Sequence, residues 1–486
     1  MPRWLPLLIL LLVLGGSLRL VNLGAPPLDF QSTRQLRNAL VARAIYYDAV
    51  PGADPQKRLL ADSFGRAVGQ YEPPVTESIV GHTFLLTGGE SFAVPRLFGT
   101  LFWLLAGVAL FDLARRISSP VAALIALAYY LVLPFAVQAS RSFQPDPLMT
   151  ASFVVGIYFL YRWSEEQRWK WALLGSAFAG FAVLVKIVIV FLVMGAAIAL
   201  VVGALRRRFW RSPQVWAMAA IMALPAIAYY ILAHPGRSTE YFFSWTVDLI
   251  ALISSPHFYA DWLGFLGSLV GLTVLFLSLA GTCLAPGRAR WLLLGLWLGY
   301  LLYGLTLPFQ MATHSYYHIQ LVPVVALGLA PLVEALADRA RALDRGWRAA
   351  ILVPVLVFLV YQSWAARSSL VAEDFTEAPS LWESIGAAIP QNADVIALTQ
   401  DYGFDLMYWG WRKVALWPIN TDLAAFKNSQ RDLIARFYEL TAGNSYFLVT
   451  AFGQLEGQPE LQKLLHGYAI AAQGQGYILY DLHQPR

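Results

Sequence analysis

The chain has 486 residues, of which 58% are hydrophobic, 14% aromatic and only 13% charged. That balance leaves too little polar surface to cover a water-soluble body of this size and points to lipid as the main solvent. The formal net charge of +5 needs no nucleic-acid partner once basic loops beside anionic lipid are counted, and the single cysteine, Cys283, excludes an intramolecular disulfide or a thiolate metal cluster.

A bilayer core about 30 Å thick requires about 20 apolar residues per helix. Residues 4–20 supply the first such run, with Arg3 ahead of it. Gly15, Gly16 and Ser17 lie inside the run rather than after it, so the segment reads as a retained helix and not a cleaved signal peptide. A polar stretch, 24–91, follows. Further spans fall at 93–113, 121–137, 148–161, 171–184, 187–205, 215–232, 263–284, 291–307, 319–336 and 349–364. The apolar run after Trp169 is too long for one helix and is divided near Lys186, because a charge belongs at an interface. The total is about eleven spans, some short enough to need tilt or interfacial flanks.

Orientation follows from the basic residues. Arg115 and Arg116, Arg162 with Arg168 and Lys170, Arg206 to Arg208 with Arg211, Arg288 with Arg290, and Arg339 to Arg348 fall on alternate loops, which are therefore cytoplasmic. The amino terminus is then inside and the carboxy terminus outside. The outward loops are 24–91, 138–147, 234–262 and 308–318. The first is too long to lack structure. Over 34–47, Leu36, Leu40, Ala44 and Tyr47 share one face with Arg34 and Asn38 opposite, as in an interfacial helix; a second helix is expected from Pro73 and Pro74 to about Leu86.

After Ala366 acids and amides return, so 1–366 reads as a transmembrane domain and 367–486 as a small soluble α/β domain outside the membrane. Its expected elements are helix 380–388, strand 394–398, a turn at Tyr402-Gly403 with a short helix, strand 414–417, helix 423–440, strand 445–450, helix 459–465 and strand 476–482. No glycine-rich phosphate loop or nucleophile triad appears there, so the domain is expected to shape acceptor access rather than perform chemistry.

Asp29 stands just outside the first span, at the depth of a lipid headgroup. A carboxylate there can take a proton from an attacking hydroxyl or amine, although an acid before a helix also serves the helix dipole. Four sequence elements share this outward side: Leu18-Arg19-Leu20-Val21-Asn22-Leu23-Gly24-Ala25-Pro26-Pro27-Leu28-Asp29; Tyr71-Glu72-Pro73-Pro74 ahead of Gly89-Glu90-Ser91-Phe92-Ala93-Val94-Pro95-Arg96-Leu97; Arg141-Ser142-Phe143-Gln144-Pro145-Asp146; and His314-Ser315-Tyr316-Tyr317-His318 before Pro323. In their order and topology they resemble the GT-C superfamily, specifically the family of protein O-mannosyltransferases, aminoarabinose transferases and their bacterial relatives.

The resemblance implies an inverting glycosyltransferase whose first-loop acid is the base and whose leaving group is a polyprenyl phosphate. Many relatives carry two adjacent acids in that loop, whereas Asp29 is followed by Phe30 and Gln31; their His-Pro-Pro is here Glu72-Pro73-Pro74. The base is thus Asp29, with Glu72 as a second carboxylate. Expelling phosphate develops negative charge that fixed cations stabilise. Arg141, with Asp146 to orient it, is the first choice for that role and Lys186 the second; Arg237, His314, Tyr317 and His318 complete the candidate phosphate and sugar ligands. His314 and His318, four apart, also have helical metal-pair spacing, but no ligand cluster settles whether a divalent metal is used.

The expected activity is transfer of a sugar from a polyprenyl-phosphate carrier to a lipid, glycan or protein at the outer face of the plasma (inner) membrane. A lipid-linked sugar flippase or polymerase is the alternative, and a noncatalytic membrane scaffold the third reading. No internal repeat supports a transporter.

Overall fold

Proline, glycine and one lysine set the breaks between helices. The computed structural model describes residues 2–69, 71–234, 246–247, 249–420 and 433–485. Its contacts divide into a helical unit, Met1–Gly24, Gln70–Thr76 and Ser91–Glu373, and a second unit, Ala25–Gly69, Glu77–Glu90 and Asp374–Arg486. The sequence places the first loop with the membrane part, whereas in this division most of it belongs with the carboxy-terminal residues.

The helical unit opens with α1 (Leu5–Arg19) and continues, after the first loop, with α5 (Ala93–Ile117) and α6 (Pro120–Val132). The span expected at 121–137 does not run straight. Pro134 cannot donate a backbone hydrogen bond, and α7 (Pro134–Arg141) leaves α6 at 62°. Next come α8 (Asp146–Glu166), α9 (Trp169–Val185), α10 (Val190–Leu205) and α11 (Pro213–Ile227). The single helix expected at 263–284 is likewise two, Pro256–Val270 and Leu272–Leu284, meeting at 93° about Gly271, whose φ of 82° is open to glycine and strained for other residues. The helices Gly287–Thr306, Pro308–Thr313, Leu321–Arg341 and Arg345–Leu370 complete the unit.

Among the described residues four helices are long and apolar enough to cross a membrane, or six if each bent pair counts as one span; Leu5–Arg19 and Trp169–Val185 are apolar but shorter. Close packing between helices comes from small residues. A Cβ built on Gly195 or Gly295 would lie 2.1 or 2.2 Å from the other's carbonyl oxygen, so the two backbones touch directly.

In the second unit, α2 (Ser32–Ala49), α3 (Pro55–Ala67) and α4 (Val75–Thr87, whose first two residues lie in the helical unit) make up the loop part. α2 and α4 match two expected helices, whereas α3 had not been foreseen. α2 does not have one wet face: Gln35, Leu36, Arg37, Asn38, Ala39 and Leu40 are buried in succession. Helix neighbours pack closely enough to explain this, since a Cβ on Gly65 would sit 2.7 Å from Ala44 Cβ and one on Gly81 2.8 Å from the Ala42 carbonyl oxygen.

The carboxy-terminal sheet has the order β2-β1-β3-β5-β4. β1 (Val395–Leu398) pairs parallel with β2 (Ala415–Leu416) and β3 (Tyr446–Val449); β5 (Tyr477–Pro485) runs antiparallel to β3 and to β4 (Tyr468–Gly474). Ile396, Leu398, Trp417, Phe437, Phe447, Val449, Leu461 and Tyr480 form its core. Burying each large apolar side chain contributes about 1.5–3 kcal/mol, enough together to order the sheet. Helices Ala378–Ala388, Phe404–Tyr408, Leu433–Thr441, Phe452–Glu456 and Pro459–Leu465 surround it. The first half of the helix expected at 423–440 lies outside the described residues.

Candidate functional site

In the helical unit the polar centre is built where two helices start or stop. α9 ends at Val185; Lys186 is extended, with φ −155° and ψ 114°, and helix resumes at Ile187. Four β-branched residues, Ile187 to Val190, help the chain turn at this point, because their side chains crowd a helical turn. The lysine is not at a wet interface. Its side chain is 4% exposed, and its Nζ lies 2.8 Å from Asp146 Oδ1, itself 3% exposed. Asp146 opens α8 after Pro145, where the unpaired amides of the first turn favour an acid.

Aromatic rings close over this pair. Nζ is 4.7 Å from the centroid of Tyr316 and 5.0 Å from that of Tyr317, so the cation faces two π systems as well as a carboxylate. Tyr303 stacks on Tyr317 with centroids 6.3 Å apart. The same region holds buried polar atoms that lack a hydrogen-bond partner among the described residues: Asp146 Oδ2, both ends of the Gln144 amide and Thr150 Oγ1, one turn along α8 from Asp146. Unpaired polar atoms in a packed interior are costly, and a polar ligand would satisfy them.

Arg141 has a different placement from the one its sequence neighbourhood implied. Asp146 pairs with Lys186, and Arg141 Nη1 and Nη2 donate instead to the carbonyls of Val21 and Asn22, the latter at 3.0 Å. Arg96 reaches the same stretch, its Nη1 donating to the Asn22 and Leu23 carbonyls at 3.0 Å each. Arg19 caps the other side: Nε donates to Ser140 Oγ at 2.7 Å and Nη1 to the Gly15 and Leu131 carbonyls at 2.8 Å each. Three buried arginines thus hold the exit of α1 and the end of α7 together.

The two histidines do not form a pair. His318 is fully buried, with Nδ1 2.6 Å from Tyr300 Oη and Nε2 3.0 Å from the Met311 carbonyl. Half-buried His314 lies before the 3₁₀ turn Ser315–His318, with Nδ1 2.7 Å from Thr313 Oγ1. Among the described residues no three His, Cys, Asp or Glu side chains gather where they could hold a metal ion. Glu72 is half-buried in the helical unit ahead of α4. Arg237 lies outside the described residues.

Asp29 belongs to the second unit. It sits half-buried in a tight turn, Asp29-Phe30-Gln31, that ends at Gln31 with φ 52°. Gln35 on α2 braces the turn from inside, its Nε2 donating to the Phe30 carbonyl at 2.6 Å, the Pro27 carbonyl at 3.2 Å and Asp29 Oδ1 at 3.3 Å. Farther along α2, Arg43 Nε donates to both oxygens of Glu90, at 3.1 and 2.9 Å. Its guanidinium lies between the rings of Tyr408 and Trp411, at 3.7 and 4.4 Å, and Tyr408 Oη donates to Glu90 Oε2 at 2.8 Å. This clasp ties α2 to the carboxy-terminal segment within the second unit. Arg43 had not been singled out in the sequence, where it reads as one more loop cation.

Residues 71–232 match a family model described as dolichyl-phosphate-mannose-protein mannosyltransferase. That stretch contains Glu72, Arg141, Asp146 and Lys186. No curated protein matches the chain at a significant level. Among solved structures the chain is similar to ArnT from Cupriavidus metallidurans bound to undecaprenyl phosphate, with 13% identity and a TM-score of 0.59 over 98% of this chain and 97% of that one. It is also similar to the Archaeoglobus fulgidus oligosaccharyltransferase in complex with Zn and sulfate, with 14% identity and a TM-score of 0.52 over 91% of this chain and 68% of the other.

Proposed function

We propose, for a chain that carries the GT-C glycosyltransferase fold over nearly its whole length, that it transfers a sugar from a polyprenyl-phosphate carrier to a lipid, glycan or protein acceptor at the outer face of the plasma membrane. The observation that carries the proposal is the buried Lys186–Asp146 pair under Tyr316 and Tyr317, flanked by unsatisfied polar atoms and lying in the segment that resembles the mannosyltransferases.

In this reading Lys186 stabilises the charge that develops on the departing phosphate. Asp146 holds the ammonium group in place through their 2.8 Å contact. Tyr316 and Tyr317 offer faces and hydroxyls to a sugar, and His314 a further hydrogen bond. Arg141 acts at one remove, fixing the backbone at residues 21 and 22. Asp29 is the base that removes the proton from the acceptor nucleophile, so that the new glycosidic bond forms on the face opposite the leaving phosphate; Glu72 remains the second carboxylate candidate. About eleven spans, an internal amino terminus and an external carboxy terminus belong to the same proposal.

The experiment is transfer of radiolabelled sugar by the purified chain in lipid nanodiscs, using a panel of undecaprenyl- and dolichyl-phosphate sugars with membrane-extract lipids and proteins as acceptors. Transfer from at least one donor supports the reading. Absence of transfer from every donor, with undecaprenyl phosphate still bound, favours a lipid-linked sugar flippase or polymerase.

A further inference from the structure

Three consecutive residues of the carboxy-terminal segment, Asp401, Tyr402 and Gly403, have left-handed backbone, with φ of 49°, 54° and 73°. Glycine enters this region freely, but two non-glycine residues in succession stay there only when their surroundings hold them. The kink delivers the Asp401 carboxylate to the start of α2. Its Oδ1 accepts hydrogen bonds from Ser32 Oγ, at 2.8 Å, and from Thr33 Oγ1.

Those hydroxyls belong to the first turn of α2, directly after Asp29-Phe30-Gln31. Gln35 braces the Asp29 turn from within, and Asp401 secures the helix that follows it. Neither Ser32, Thr33 nor Asp401 is one of the residues read as touching substrate.

We propose that Asp401 is a positioning residue for Asp29: by pinning Ser32 and Thr33 it fixes the direction in which the Asp29 carboxyl points. The inference rests on the reading of Asp29 as the base. It gives the carboxy-terminal segment a share in the reaction without placing any of its atoms on the substrate. Asp405, four residues beyond Asp401 and buried, has its carboxyl pushed up to about 8 by burial and by the Asp401 charge, so the two carboxyls face each other at this kink.

The test compares wild type, Asp401→Ala, Asp401→Asn, the Ser32→Ala/Thr33→Ala double variant and Asp29→Asn as full-length proteins in nanodiscs. Two readouts are taken: amide hydrogen exchange over residues 28–34, which needs no substrate, and kcat and donor KM with the polyprenyl-phosphate sugar that wild type accepts. Asp401→Ala and the double variant are expected to raise exchange over 28–34 at least about tenfold and to lower kcat by about ten- to a hundredfold with donor KM held within about twofold, as for a displaced catalytic group. Asp401→Asn, whose amide oxygen still accepts from both hydroxyls, should return both readouts to within about threefold of wild type. Unchanged exchange over 28–34 in Asp401→Ala, or equal losses in Asp401→Ala and Asp401→Asn, overturns the inference. Failure of the base reading shows separately, as full turnover in Asp29→Asn.

Discussion

Replacing Lys186 by Met removes the positive partner of a carboxylate that is 3% exposed and leaves the rest of the packing nearly intact. At 2.8 Å and an effective dielectric of about 20, the pair is worth about 6 kcal/mol of Coulomb energy before desolvation is subtracted. Orphaning one member of such a pair costs about 3–5 kcal/mol, whereas replacing both by neutral groups is often close to neutral. Lys186→Met should therefore lower the thermal midpoint markedly and abolish transfer. The Lys186→Met/Asp146→Asn double variant should recover most of the midpoint yet remain at least about a hundredfold slower, because the cation that meets the phosphate is still missing. Thermal unfolding and transfer are measured on the same nanodisc samples. A double variant that regains both stability and turnover refutes a chemical role for Lys186 and leaves the pair a packing device.

Two further outcomes follow from the second unit. Arg43→Ala removes the donors to Glu90 and to the Tyr408 carbonyl and empties the gap between Tyr408 and Trp411, and should expose α2 to limited proteolysis; Arg43→Lys should not rescue it, because an ammonium group lacks the flat guanidinium that serves Glu90 through Nε and the Tyr408 carbonyl through Nη1. Asp405 titrates near 8 when folded against 3.8 for an ordinary carboxyl, so its protonated form stabilises the fold fully below about 4 and that contribution is lost as pH rises to 8. The thermal midpoint of wild type should therefore fall more steeply from pH 5 to 8 than that of Asp405→Asn; equal slopes would remove Asp405 as the cause.

The break at Lys186 was legible because a charge interrupts a long apolar run, and an acid ahead of α2 was legible because Asp29 stands in the short polar stretch between the first span and that helix. The partner of Lys186 was not, since 40 positions separate it from Asp146 and Arg141 is the nearer cation in sequence. Arg141 proved to serve backbone carbonyls, a use that leaves no side-chain pattern to read. The bend between α6 and α7 follows from Pro134, but apolar composition on both sides concealed it. The α3 helix was hidden by a charged, weakly periodic sequence, and β4 by the small residues of Tyr468-Ala469-Ile470-Ala471-Ala472, which are strand only because β5 folds back on them through the turn at Gly476.

The most direct test of the central claim is sugar transfer by wild type and Asp29→Asn in the same lipid, with donor binding measured alongside. Loss of transfer with donor binding retained is the predicted result, and it assigns Asp29 as the base. Equal transfer by the two proteins contradicts the assignment and turns the search for the base to Glu72.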